Sequence, residues 1–254
     1  MSVNWKKTLF VVCDIFIAAY LLLAVTAFNK PDADTTTCTE VKIDVEQTAV
    51  EGFMTSEEIK RILTQNKCYP LSKPMTAINS RTIEECLKKS PFVDNAECYK
   101  TQNGHVCIYV KQRIPVARVM ADNGENYYVD THGSLMPETR YVTDQMIATG
   151  AITRKYAKTT LAPLANQILK DKFWKNQVVQ INVLADGSVE IVPRVGDHVI
   201  YLGAPVKIDK KLDRLRKFYL YGLNKTGWNK YNYINVEFDN QIICKRNKKK
   251  KQNI

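Results

Sequence analysis

Histidine is scarce in this chain, and that scarcity narrows the chemistry first. His105, His132 and His198 are the only three among 254 residues, and none shares an H-x-H or H-E-x-x-H spacing with another. The cysteines form no C-x-x-C or C-x-x-H pair. Since a catalytic zinc needs about three protein ligands and a structural one about four, no metal site is expected. No G-x-S-x-G occurs, and the acids are scattered, with no pair in a glycosidase or protease setting. "GLNKTGWN" (222–229) spaces two glycines like a phosphate loop, but Trp228 and Asn229 stand where Lys and Ser/Thr would hold phosphate and magnesium. Internal repeats are missing too, and low complexity is confined to a terminal lysine run. The sequence therefore predicts no catalytic residue, no cofactor and no small-molecule substrate.

What is present begins with a long apolar run. "TLFVVCDIFIAAYLLLAVTAF" (8–28) meets the roughly 20 residues that a helix needs to cross a hydrocarbon core. Trp5 suits the interface and Lys6 and Lys7 precede the run, while Lys30 is offset by Asp32 and Asp34, so the bias places residues 1–7 in the cytoplasm. A cleaved signal peptide with a cut after Ala27 is the rival; the length of the run and its acid favour an uncleaved anchor. That acid, Asp14, either contacts a partner helix or is solvated through the headgroup zone. Residues 29–37 read as a linker. Formal net charge is +11, with six basic residues in the last ten positions. The tail 247–254 reads as solvated and disordered, and without interleaved aromatics it predicts no nucleic-acid partner.

Beyond the linker, "TEVKIDVE" alternates Val41, Ile43 and Val45 against polar residues, as a half-buried strand does. Thr55 and Glu58 form a capping box ahead of a helix with Ile59, Ile62 and Leu63 on one face. A second helix carries Ile83, Cys86 and Leu87 and stops by Pro91, and two alternating runs then flank Asn103-Gly104, a hairpin signal. The order is β-α-α-β-β. Further strands are expected to about Met120 and over Tyr127–Val129, then three within "VVQINVLADGSVEIVPRVGDHVIYLG", with turns at Asp122–Gly124, Asp130–Gly133, Asp186-Gly187 and Val195–Asp197. One helix carries Leu161, Leu164, Ala165, Ile168 and Leu169; another carries Leu212, Leu215, Phe218 and Tyr219, with Gly222 near its end. "YINVEFDNQIICKR" closes with two runs about a turn at Asp239-Asn240.

Two local patterns refine this. In "YYVDTHGSLMP", Asp130 and His132 suggest an acid–base pair, yet Asp and Gly three apart between alternating runs are what a hairpin turn requires: Asp for a side-chain-to-backbone bond, Gly for positive φ. The turn is the better reading. Of the seven cysteines, Cys13 lies in the apolar run, leaving Cys38, Cys68, Cys86, Cys98, Cys107 and Cys244 with no pairing fixed. If Ala96 and Val106 face one core, Cys98 points in and Cys107 out, and those two cannot bond.

Taken in order, these segments resemble the FtsQ/DivIB cell-division family. The unit 38–118 looks like a POTRA module ending in "VKQRIPVARV", similar to the family's strand and Pro-containing crossing into the next domain. "YYVDTHGSLMP" is similar to the family's "YYVD-x-x-G" hairpin, whereas "MIATGAI" departs from its "LPxxTG" connection at Met146 and Ala148. "PRVG" and "GWNKY" are words of one branch. The expected fold is α+β: one N-terminal transmembrane helix (8–28), a POTRA domain (38–118) and a mixed β domain with helices (119–246).

The resemblance implies a non-enzymatic, single-pass divisome protein of the inner membrane. Its N-terminus would be cytoplasmic and its domains periplasmic, holding FtsB/DivIC- and FtsL-type partners at the septum. The alternatives are a POTRA-type envelope-protein assembly factor and a cell-wall hydrolase. In the family the terminal strand is the docking edge; here it maps to Val236, Glu237, Phe238, Asn240 and Ile243, with Glu237 standing where better-known relatives carry a basic residue. Strand addition to such an edge is a general binding mode. A POTRA module adds a second interaction surface, through a sheet edge or a helix face, and Asp14 a possible contact within the membrane.

Overall fold

The computed structural model describes residues 5–28, 36–46, 54–138 and 145–247. The expectations for residues 1–4, for most of the linker and for the tail beyond Asn247 lie outside the described residues. Helix α1 spans Trp5–Phe28, 24 residues. Its large apolar side chains from Leu9 to Val25 stand exposed. Counted over the described residues alone, no helix is long and apolar enough to cross a membrane.

The remaining residues build two compact units, each with its own sheet. The first unit holds β1 (Glu40–Val45), α2 (Ser56–Gln65), α3 (Ser80–Lys88), β2 (Val93–Lys100) and β3 (His105–Gln112), the predicted β-α-α-β-β order. Its strands lie in the order β1-β3-β2, with β1 parallel to β3 from Glu40↔His105 to Val45↔Val110. A parallel joint needs a crossover, which α2 and α3 supply. Ile59, Leu63, Ile83, Cys86 and Leu87 of the helices are buried with Ala96, Cys98, Val106, Ile108 and Val110 of the sheet. Each buried Leu or Ile contributes about 1.5–3 kcal/mol. Gly104 turns the hairpin at φ +77. Cys98 is buried while Cys107, half-buried, faces the other side of the sheet. All seven cysteines are free thiols.

The second unit is a nine-stranded sheet of β4 (Pro115–Ala121), β5 (Asn126–Asp130), β6 (Leu135–Pro137), β7 (Ile147–Gly150), β8 (Val178–Val183), β9 (Val189–Pro193), β10 (Val199–Gly203), β11 (Tyr231–Asn235) and β12 (Ile243–Arg246). The order is β12-β11-β10-β9-β8-β7-β4-β5-β6. Consecutive hairpins pair antiparallel, and β4–β7, β7–β8 and β10–β11 pair parallel. Helices form the crossovers for β7–β8 and β10–β11. The first runs through α4 (Arg154–Tyr156), a π turn (Ala157–Leu161), α5 (Ala162–Lys170) and α6 (Lys172–Gln177). The second runs through α7 (Ile208–Lys217), a π turn (Phe218–Leu223) and α8 (Asn224–Thr226). Their apolar faces, Leu161, Leu164, Ala165 and Ile168, then Leu212, Leu215 and Tyr219, join Val119, Ala148, Ile181, Ile191, Ile200 and Ile234 of the sheet in one core. Gly222 lies inside the second π turn, and Gly227, at φ +94, separates α8 from a 3-10 turn at Trp228–Lys230.

Two features depart from the sequence reading. The helical stretch 161–174 is interrupted at Asp171, whose Oδ1 accepts the amides of Phe173 (2.9 Å) and Trp174 (3.2 Å) and starts α6, while Oδ2 binds Arg216. Strand β7 falls in "MIATGAI", which no alternation marked. It sits between β4 and β8, and Gly150 at its end has φ +100. A Cβ there would lie 2.1 Å from Val183 O, so only glycine allows this approach. Gly150→Ala is expected to lower stability by roughly 3 kcal/mol in denaturant titration.

His198 belongs to the core rather than to a ligand set. It is buried, its Nε2 lies 2.8 Å from Tyr219 Oη, and the two rings meet edge-on at 5.6 Å. Burial pushes its pKa below 6.5, against the smaller opposing pull of Asp197. A depressed folded pKa means that the unfolded chain takes up the proton first as pH falls. This contribution is therefore complete above pH 6.5 and is lost as pH drops from there through the folded pKa. The melting temperature should fall across that window, and His198→Gln should flatten the slope in thermal melts followed by circular dichroism.

Candidate functional site

The segment that looked most like a catalyst is a turn. Asp130 Oδ1 accepts the amides of His132 (2.9 Å) and Ser134 (2.6 Å), and its Oδ2 meets Arg113 Nη1 at 2.8 Å, a guanidinium also 2.8 Å from Ser134 Oγ. Gly133 has φ +80, and a Cβ on it would lie 2.7 Å from Lys158 O. The Asp130 carboxylate thus spends both oxygens on holding the β5–β6 hairpin, while the His132 ring is exposed, with Nδ1 3.3 Å from Thr131 Oγ1. Among the described residues no group of three His, Cys, Asp or Glu could hold a metal ion.

The terminal edge has a different register from the one read in the sequence. β11 pairs parallel with β10 on one side and antiparallel with β12 on the other, so β12 is the edge and β11 is interior. Of the five residues placed on the terminal strand, only Ile243 lies in β12. Val236, Glu237, Phe238 and Asn240 lie in the β11–β12 connection instead. The reason is a competition that the sequence pattern does not show. Val236 donates its N–H to Tyr201 O at 3.0 Å, prolonging the β10 pairing, and its buried side chain joins the core. Its carbonyl accepts from Arg214 Nη2 at 2.5 Å, which turns the chain out of the sheet.

The connection is then pinned from α7. Asp239 meets Lys207 Nζ at 3.4 Å and Arg214 Nη1 at 3.8 Å, Asn235 Oδ1 accepts the Glu237 amide at 2.8 Å, and Asn240 turns the chain at φ 63. Glu237 lies across Gly203: a Cβ on that glycine would come within 2.5 Å of its Oε1. Phe238 and Asn240 are left on the outside. Phe238 is 47% exposed and Ile243 50% exposed, high for large apolar side chains.

Backbone parity fixes which groups of β12 are available. Because the Val236 amide turns toward β10, the amides of Tyr233 and Asn235 turn toward β12 and engage Lys245 and Ile243, their partners in the register. The amide of Asn247, two residues further on, bonds Lys230 O at 2.9 Å. The intervening residues Cys244 and Arg246 therefore direct N–H and C=O away from the sheet. Cys244 was not among the residues singled out from the sequence; the two-residue alternation about a correctly placed turn was the signal that could have found it. Lys245 and Arg246 add positive charge along the exposed strand. Asp14, the other residue singled out, lies on α1.

Comparison with known proteins accords with this architecture. The profile described as FtsQ/DivIB, C-terminal related matches residues 114–245, more than half of the chain, and the profile described as POTRA-like domain matches residues 36–111. No curated protein matches the chain. With both units matched in the order in which the sheets occur, the chain belongs to the FtsQ/DivIB family.

Proposed function

We propose that this protein is a non-enzymatic, single-pass scaffold of the bacterial divisome. In this reading α1 anchors it in the inner membrane with the N-terminus cytoplasmic, and the two sheet-bearing units face the periplasm at the septum. The edge of β12 receives an extended segment of an FtsB/DivIC- or FtsL-type protein, and the scaffold thereby helps to recruit and regulate septal peptidoglycan synthesis. Membership of the FtsQ/DivIB family supports the cell-division role. The apolar run 8–28, interrupted by one acid, supports the anchor.

The observation that carries the docking proposal is the one-sided pairing of β12. Its outward groups at Cys244 and Arg246 offer main-chain hydrogen bonds, the source of affinity in strand addition. The exposed Ile243 and Phe238 offer apolar contact beside them. Val236 contributes through the register it imposes and not through its buried side chain. Asn240 contributes by turning the chain, and Glu237 by lining the inner side of the connection.

Cys244→Pro removes an outward N–H without touching the pairing to β11. It should therefore weaken capture of the division partners at least about tenfold, the worth of one hydrogen bond, while near-UV circular dichroism stays native. Ile243→Pro removes an inward N–H and should instead destabilise the hairpin. Unchanged capture by a folded Cys244→Pro protein would contradict docking at this edge. A fluorescent fusion should concentrate at the septum. Asp14→Leu should disperse it if the acid meets a partner helix, and undisturbed septal localisation would remove that role.

A further inference from the structure

The first unit has two sheet edges, and its own side chains close only one of them. On β2 the N–H of Cys98 is bound by Glu84 Oε1 of α3 at 2.8 Å. Lys100, at the end of the same strand, places Nζ 2.9 Å from both Met75 O and Ile78 O, tying the strand to the loop ahead of α3. An incoming strand would have to break these bonds. On the far side of β1 the loop 72–74 holds the chain only as far as Cys38, which bonds Lys73 O and the Ser72 N–H at 2.9 Å; from Glu40 on, the described residues give it no such cover. β1 has a single strand neighbour, β3, and among the described residues no side chain bridges across it.

The composition of β1 is self-complementary. Its exposed residues alternate in sign, Glu40, Lys42 and Asp44, between half-buried Val41, Ile43 and Val45. Glu40 is already engaged, with His105 Nδ1 at 3.1 Å and Lys42 Nζ at 3.9 Å. Asp44 is exposed and forms no ion pair among the described residues. We infer that β1 pairs antiparallel with β1 of a second copy of this chain about a two-fold axis at Ile43, joining the two three-stranded sheets into one of six strands. In that register Lys42 of each copy faces Asp44 of the other, Val41 faces Val45, and Ile43 faces Ile43. Shifting the register by two residues, so that the axis falls at Lys42, sets Lys42 against Lys42 and Glu40 against Asp44. Directly opposed like charges destabilise a strand pair, which counts against the axis at Lys42. An axis at Val41 would set Asp44 of the second copy against Cys38, whose N–H and C=O are already bonded to Lys73 O and the Ser72 N–H at 2.9 Å. The axis at Ile43 is therefore the one that fits, with Glu40 and Glu46 opposed just past the strand end. A two-fold interface repeats each contact, so each ion pair counts twice.

Charge exchange tests this on the full chain in detergent micelles by sedimentation equilibrium. The parent should dimerise reversibly. Lys42→Asp and Asp44→Lys should each abolish the dimer, since each sets like charges opposite one another twice, and the double exchange Lys42→Asp/Asp44→Lys should restore it. Both residues are exposed, so the variants keep the fold, which circular dichroism checks. In a second measurement Ile43→Cys should cross-link to its own counterpart under mild oxidation, because directly opposed strand residues lie within disulfide reach. Peptide mapping separates this bond from those of the native thiols. A parent that stays monomeric at every concentration, a dimer indifferent to both single exchanges, a double exchange that fails to restore it, or cross-links that never join residue 43 to itself would each overturn the inference. None of these results bears on docking at β12, which lies in the other unit.

Discussion

A strand paired on one side only leaves a row of backbone donors and acceptors for something else to satisfy, and the way each sheet end meets that constraint organises this molecule. The nine-stranded sheet ends on one side at β6, three residues long and closed by Pro137, which has no N–H to offer. On the other side it ends at β12, where the outward groups at Cys244 and Arg246 stay accessible beside two exposed apolar side chains. In the small sheet β2 is stopped by Glu84 and Lys100, and β1 is left with an alternating charge pattern. Among the described residues two ends are blunted by short length, proline or captured amides, and two are not. That asymmetry distinguishes surfaces that exclude other chains from surfaces suited to receive them.

The same backbone bookkeeping explains which parts of the fold were legible in the sequence. Hairpins are local: Asn103-Gly104, Asp130 to Gly133 and Asp186-Gly187 carry their turn chemistry within a few residues, and each turns where the pattern placed it, with Gly104, Gly133 and Gly187 at φ of +77, +80 and +82. The inward Cys98 and outward Cys107 followed from period-two alternation alone. Strand β7 was illegible because its order comes from both neighbours, β4 and β8, far away in the chain. Four residues between two parallel partners need no alternation of their own, and the glycine that permits the approach looks in the sequence like a loop residue. The break at Asp171 was hidden similarly, since the apolar period continues across it.

The terminal edge shows how a correct element can carry the wrong residues. Two runs and a turn at Asp239-Asn240 are all present, yet the first run stops at Asn235 because Val236 is claimed by β10 and by Arg214. Both claimants lie more than twenty residues earlier in the chain, beyond the reach of any local pattern. One consequence is that the edge shifts toward the C-terminus and Cys244 gains the outward amide.

Glu237 gives this shift a chemical meaning. Read as part of the docking strand, as the family resemblance implies, it would stand as a reversed charge and demand a matching reversal in the partner. The structure gives the acid an internal task instead. Lys211 is buried with its Nζ donating to Leu202 O and Ala204 O, each at 2.7 Å, and burial pushes its pKa down while the nearby Glu237 carboxylate pushes it back up. A buried ammonium bonded to neutral carbonyls is costly, and a carboxylate nearby offsets part of that cost. The same side chain lies over Gly203, a residue whose positive φ and missing Cβ make room for it. Lysine, glycine and glutamate thus form one arrangement joining the end of β10, α7 and the β11–β12 connection. The acidic sign of residue 237 thus has an electrostatic role inside this unit, beside the buried Lys211.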